Sequence, residues 1–155
     1  MKHGLPDAKI VHNYRDCRET AISMMTGSFF RLYLELTKNP DLDEWDSDYM
    51  PPLEEMGSML NQWIVDAVGV LESLPDHQKM NLSYEDLMDD CMNTLLHFSN
   101  FVFERQEPTP EDIEWAEKEC NVIERVPLRY QKLSRDEQEK LQNICYESLK
   151  TLGYE

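Results

Sequence analysis

The chain has 155 residues, near the common size of one domain, and carries 31 Asp and Glu against 15 Lys and Arg, a formal charge of −16. Charge of this sign excludes nucleic acid and anionic membrane as direct partners and favours basic protein surfaces or cations. No apolar run is long enough to span a bilayer, the N-terminal residues open no apolar leader segment, and Cys17, Cys91, Cys120 and Cys145 form no CxxC pair, so free thiols in a reducing cytoplasm are expected.

Taken in chain order, five periodic segments predict five helices and no sheet. The first runs from Asp16 to Lys38, with an earlier start near Asp7 also open, and places Cys17, Ala21, Met24, Met25, Leu32 and Leu36 at mostly helical spacing. Gly27 marks a kink or a close helix crossing, and Asn39-Pro40 ends the segment. Residues 40–52 then form an acidic, aromatic loop with prolines at both ends. The second helix, Leu53 to Leu74, advances its apolar residues by three or four from Leu53 to Leu71 and stops at Pro75.

The third helix runs from Tyr84 to about Arg105. Ser83 caps it, and Tyr84, Leu87, Cys91, Leu95, Phe98 and Val102 form its apolar face. Pro108 breaks the chain. Thr109 caps the fourth helix, Pro110 suits its first position, and Glu111 and Asp112 favour the positive end of its dipole. That helix ends before Pro127. Ser134 and Glu137 form a capping box for the fifth helix, which carries Leu141, Ile144, Cys145, Leu149 and Leu152 before Gly153 as C-terminal cap. The expected fold is therefore all-α, a compact bundle of about five helices in a single domain over residues 1–155. Within it, residues 108–155 can pack as a semi-independent helical pair.

The charge is concentrated. Residues 1–40 hold 4 acids and 6 bases, residues 41–90 hold 14 acids and the single base Lys79, and residues 91–155 hold 13 acids and 8 bases. Within the acidic window, Asp41, Asp43, Glu44, Asp46 and Asp48 surround Trp45 and Tyr49. That loop reads either as a surface linker or as a recognition element, with aromatic anchors and steering carboxylates. Its Asp41-x-Asp43 start is that of a calcium loop, but Trp45, Asp46 and Pro52 fall where that loop needs other residues. On the third helix, Asp86, Asp89, Asp90, Asn93 and His97 recur at three- and four-residue spacing, so like charges repel unless a cation or basic partner relieves them. No nucleophile-elbow, P-loop, dinucleotide-binding or HExxH motif occurs, and the four histidines show no zinc spacing.

Leu53-Glu54-Glu55-Met56-Gly57-Ser58 and Tyr84-Glu85-Asp86-Leu87-Met88-Asp89 together resemble the two acidic segments of the all-α nucleotide pyrophosphohydrolases of the MazG type. Those enzymes pair an ExxE helix with an ExxD helix to hold magnesium over a nucleotide's phosphates. The resemblance implies Glu55, Asp86 and Asp89 as ligands for Mg²⁺ or Mn²⁺; Ser58 departs from it by standing at the second carboxylate of ExxE. The leading reading of the sequence is a non-enzymatic protein without a cofactor that binds and blocks a basic surface. Such a surface belongs, for example, to a nucleic-acid-handling enzyme, in the manner of an inhibitor, a nucleic-acid mimic, or an immunity or antitoxin protein of phage or plasmid origin. Its contacts would be Asp41, Asp43, Glu44, Trp45, Asp46, Asp48, Tyr49, Asp86, Asp89 and Asp90. The divalent-metal phosphohydrolase is the alternative, and an acidic domain whose charge serves only solubility is the third.

Overall fold

A computed structural model describes residues 7–25 and 52–154. Among them the chain forms β1 (Ile10–Tyr14), α1 (Cys17–Met25), α2 (Leu53–Glu72), β2 (Lys79–Ser83), α3 (Tyr84–Asp89), α4 (Cys91–Phe103), α5 (Pro110–Cys120), α6 (Arg135–Ile144) and α7 (Tyr146–Leu152). Short 3-10 turns occupy Asp76–Gln78 and Tyr130–Lys132. The mostly helical architecture is the one expected, and no helix of the described residues is long and apolar enough to cross a membrane. Residues 26–38 of the first expected helix, with Gly27 among them, and residues 40–51 of the acidic loop lie outside the described residues.

The local signals hold at the helix ends. Ser83 Oγ accepts from the Asp86 N–H at 2.9 Å. Thr109–Asp112 and Ser134–Glu137 are full capping boxes, and Gly153 closes α7 at φ 77°, a left-handed conformation that suits glycine. The expected third helix is two, because Asp90 leaves helical geometry at φ −143°, ψ 65° between α3 and α4. The fifth is also two, broken at Cys145 with φ −84°, ψ 4°. The fourth stops at Cys120, well before Pro127.

Two features correct the sequence reading. First, β1 and β2 pair in parallel from Ile10↔Lys79 to Tyr14↔Ser83. Second, Cys91 and Cys120 are joined in a disulfide with their Cα atoms 5.8 Å apart, whereas Cys17 and Cys145 are free and buried. Cysteines 29 residues apart meet because α4 and α5 lie against each other, with Phe98 and Trp115 rings 6.4 Å apart.

The chain divides into two compact units, Met1–Arg15 with Ala67–Pro127, and Asp16–Asp66 with Leu128–Glu155. The first contains the strand pair and α3 to α5, with Met80, Leu95 and Ala116 buried. Its Asp112 is buried and well satisfied: the carboxylate accepts from Ser99 Oγ at 2.6 Å, from Thr109 N–H at 2.8 Å, and from Arg105. Those donors hold the Asp112 carboxyl well below the usual range, Ser99 and Thr109 contributing most. Lys9 Nζ donates to the Phe101 and Val102 carbonyls, which satisfies the end of α4.

The second unit buries Cys17, Ala21, Ile22, Met56, Leu60, Leu141, Cys145 and Leu149 in one cluster. Gly57 permits this packing. A Cβ there would stand 2.8 Å from Leu141 Cδ1 and 3.2 Å from Ile144 Cγ2. At the start of α1, Glu19 is buried yet paired, accepting from the Arg129 and Tyr130 backbone N–H groups at 2.9 and 2.8 Å. Arg18 donates to both oxygens of Asp16 and to Gln142.

Candidate functional site

The residues chosen from the sequence are not gathered into one site by the described structure. Asp41, Asp43, Glu44, Trp45, Asp46, Asp48 and Tyr49 lie outside the described residues. Asp86 caps into the start of α3 through its N–H, and its carbonyl accepts from Asp90 N–H at 2.8 Å and Thr94 Oγ1 at 3.1 Å. Asp89 is exposed and pairs with Arg125, and Asp90 accepts from Asn93 at 2.8 Å. Glu55 lies on α2 in the second unit, and Asp86 and Asp89 in the first. Among the described residues no group of three or more His, Cys, Asp or Glu is placed to hold a metal ion.

A different constellation stands at the carboxyl end of the strand pair. Ile10-Val11 starts β1 with β-branched residues, and Arg15 follows its last residue, Tyr14. Met80 and Leu82 alternate with polar residues along β2, and Tyr84 follows its last residue, Ser83. The parallel register therefore brings Arg15 and Tyr84 to the same end, with the guanidinium carbon 4.2 Å from the ring centroid. That is a cation–π distance. The Val126 N–H donates to Tyr84 Oη at 3.0 Å.

Tyr14 stands beside this pair. Burial raises its phenol pKa most, the charges of Asp86 and Glu85 raise it further, and a hydrogen bond with Ser83 opposes them. A phenol is protonated at neutral pH in any case, and these influences keep it so. On the strand faces, His12 stacks on Tyr14 at 5.3 Å and its Nδ1 lies 3.3 Å from Asn81 Oδ1. A shallow groove alongside is lined by Asn81, Ser83, Asp86, Asp90, Asn93 and His97. Open sheets with parallel strands place their ligands beyond the carboxyl ends of those strands. A guanidinium held there is suited to an anion, and to phosphate above all.

A short parallel strand pair with a stacked guanidinium at its carboxyl end is the most distinct polar feature of the first unit. The chain belongs to the sulfotransferase domain family, whose model matches residues 3–122. No curated protein and no solved structure matches the chain. The family corrects the functional reading of the sequence. Neither a non-enzymatic inhibitor, nucleic-acid mimic or antitoxin, nor a divalent-metal phosphohydrolase, agrees with it. The reason is physical: net charge over a long window describes the average surface, whereas a site is set by a few positioned groups. The residues of this constellation that the sequence does not single out as a site are Tyr14, Arg15 and Tyr84, the last assigned to the apolar face of the third helix. Their signal is a β-branched, aromatic run ending in Arg15 just before a helix, matched by an alternating run ending at the Ser83 cap.

Proposed function

We propose that the chain serves sulfonate transfer, with a phosphate of the donor nucleotide held at Arg15. The observation that carries this reading is the placement of Arg15 over Tyr84 at the carboxyl end of β1, in a chain of the sulfotransferase domain family. Sulfotransferases use 3′-phosphoadenosine 5′-phosphosulfate; when bound, this donor supplies an activated sulfuryl group that passes to an acceptor oxygen or nitrogen with release of the acceptor's proton.

The residues present suit such a donor. The planar guanidinium of Arg15 matches two phosphate oxygens at once. Stacking engages the face of a guanidinium while its N–H donors lie in the plane, so Tyr84 and a phosphate are compatible partners. Tyr14, neutral at pH 7 as any phenol is, adds a hydroxyl beside Arg15. The nearby charges of Asp86 and Glu85, which act on Tyr14, oppose an anion here and must be outweighed by Arg15; the rest of the chain's acidity counts for less. Residues 1–40 hold more bases than acids, and exposed carboxylates farther than about 8 Å are screened at physiological ionic strength.

The test is equilibrium dialysis of the chain against the sulfur-labelled donor, with adenosine 3′,5′-bisphosphate as competitor and unphosphorylated adenosine as control. Saturable binding that adenosine fails to displace, weakening as salt rises, is expected. Binding that adenosine displaces as well as the bisphosphate does would overturn the proposal, and so would none at low salt.

A further inference from the structure

The chain from the end of α5 to residue 126 is tied back to α3 and α4 at three points. The Cys91–Cys120 disulfide joins the first residue of α4 to the last of α5. Arg125 pairs with Asp89. The Val126 N–H donates to Tyr84 Oη. Residues 123–127 have no regular secondary structure of their own. Val122 and Val126 are 69% and 40% exposed, so little apolar burial holds this segment in place. The Arg125–Asp89 pair is itself exposed on both sides, and pairs of that kind contribute little. The disulfide is the strong tie among the three.

From this arrangement we infer that Tyr84 is a positioning residue for Arg15, and that the Cys91–Cys120 disulfide closes a clasp that holds Tyr84 in place, making anion affinity at Arg15 sensitive to reduction. The inference rests on the donor-site reading given above. Both cysteines are half-buried, so a small dithiol reaches them. A thiolate of the dithiol attacks one sulfur and the protein S–S bond breaks. The departing sulfur takes up a proton. The second thiol of the reductant then resolves the mixed disulfide, leaving Cys91 and Cys120 as two thiols and the reductant as a cyclic disulfide. Two electrons and two protons have passed to the protein. The 121–126 segment then keeps its ties through Arg125 and Val126, the Val126–Tyr84 bond opens more often, and the ring no longer fixes the guanidinium.

The experiment compares the oxidised chain, the chain reduced by dithiothreitol, and the Cys91→Ser/Cys120→Ser variant. Three readouts are taken: affinity for adenosine 3′,5′-bisphosphate, the ring-current shift of the Arg15 side-chain Nε–H, and hydrogen-exchange protection of the Val126 amide. Tyr84→Phe keeps the ring and the disulfide but removes the acceptor for Val126, and serves if the double variant does not fold. Reduction is expected to lower affinity by about tenfold, the scale of losing a desolvated cation–π contact and its orientation. It should also remove the Nε–H shift and the Val126 protection. Tyr84→Phe should lower affinity less while abolishing the Val126 protection. Equal affinity in the oxidised and reduced chains, or an Nε–H shift and Val126 protection that survive reduction, overturns the clasp. No binding in the oxidised chain, with shift and protection still lost on reduction, overturns the donor-site reading and leaves the clasp supported.

Discussion

Removing the disulfide should cost the chain a large part of its stability. The bond closes a segment of 29 residues. In the chain-entropy account, cross-linking a loop of that length removes about 12 cal/mol/K from the unfolded ensemble, or about 3.6 kcal/mol at room temperature. Domains of this size are stable by about 5–15 kcal/mol, so the reduced chain should remain folded but with a much lower margin. The perturbation is the Cys91→Ser/Cys120→Ser variant, or the wild type in excess dithiol, and the assay is urea unfolding followed by far-ultraviolet circular dichroism. The midpoint should fall and the m-value should rise, because an uncrosslinked unfolded chain exposes more surface. Thiol titration of the denatured, unreduced protein should find two free thiols, those of Cys17 and Cys145. Four free thiols, or a midpoint indifferent to reductant, would refute the reasoning.

Two further outcomes follow from the packing. Gly57→Ala puts a methyl 2.8 Å from Leu141 Cδ1. Overpacking costs about 1–3 kcal/mol against about 1 kcal/mol of helix propensity gained, so the variant should be no more stable than wild type, and Leu141→Ala should rescue it in a double-mutant cycle by denaturant unfolding. A stabilised single variant or additive effects would show that the two helices are not this close. Asp112 has a depressed pKa in the folded chain and about 3.9 when unfolded. The unfolded state therefore binds more protons in acid, and the contribution of Asp112 is present above about pH 4 and lost as pH falls below it. Asp112→Asn should differ most from wild type in urea midpoint at neutral pH and least in acid; a gap that is the same at every pH would contradict the Ser99–Thr109–Arg105 network.

Legibility follows the range of the interactions. Caps at Ser83, Thr109, Ser134 and Gly153 depend on residues three or four apart, and each is readable in the sequence. The apolar stripe of α2 is readable for the same reason. The breaks at Asp90 and Cys145 are not, because apolar spacing continues through both and only the surrounding structure bends the backbone there. The strand pair joins residues 69 positions apart; five-residue strands show their identity through their partner more than through their own pattern. The disulfide is also non-local, and scattered cysteines without a CxxC spacing carry no trace of it. Arg15 is visible as a charge but not as a site, since its meaning comes from the parallel register that sets it beside Tyr84. Of the acidic residues on the expected third helix, Asp86 gives its backbone N–H to the Ser83 cap, Asp89 pairs with Arg125, and Asp90 accepts from Asn93.

Whether Arg15 receives a phosphate of the donor nucleotide is tested most directly by calorimetric titration of adenosine 3′,5′-bisphosphate into wild type, Arg15→Lys and Arg15→Ala, with circular dichroism confirming that each variant is folded. A charge-assisted hydrogen bond contributes about 1.5–3 kcal/mol, so Arg15→Ala should weaken binding by about ten- to a hundredfold, and Arg15→Lys, which keeps the charge but not the planar fork, should fall between. Equal affinity in wild type and a folded Arg15→Ala variant would contradict the account.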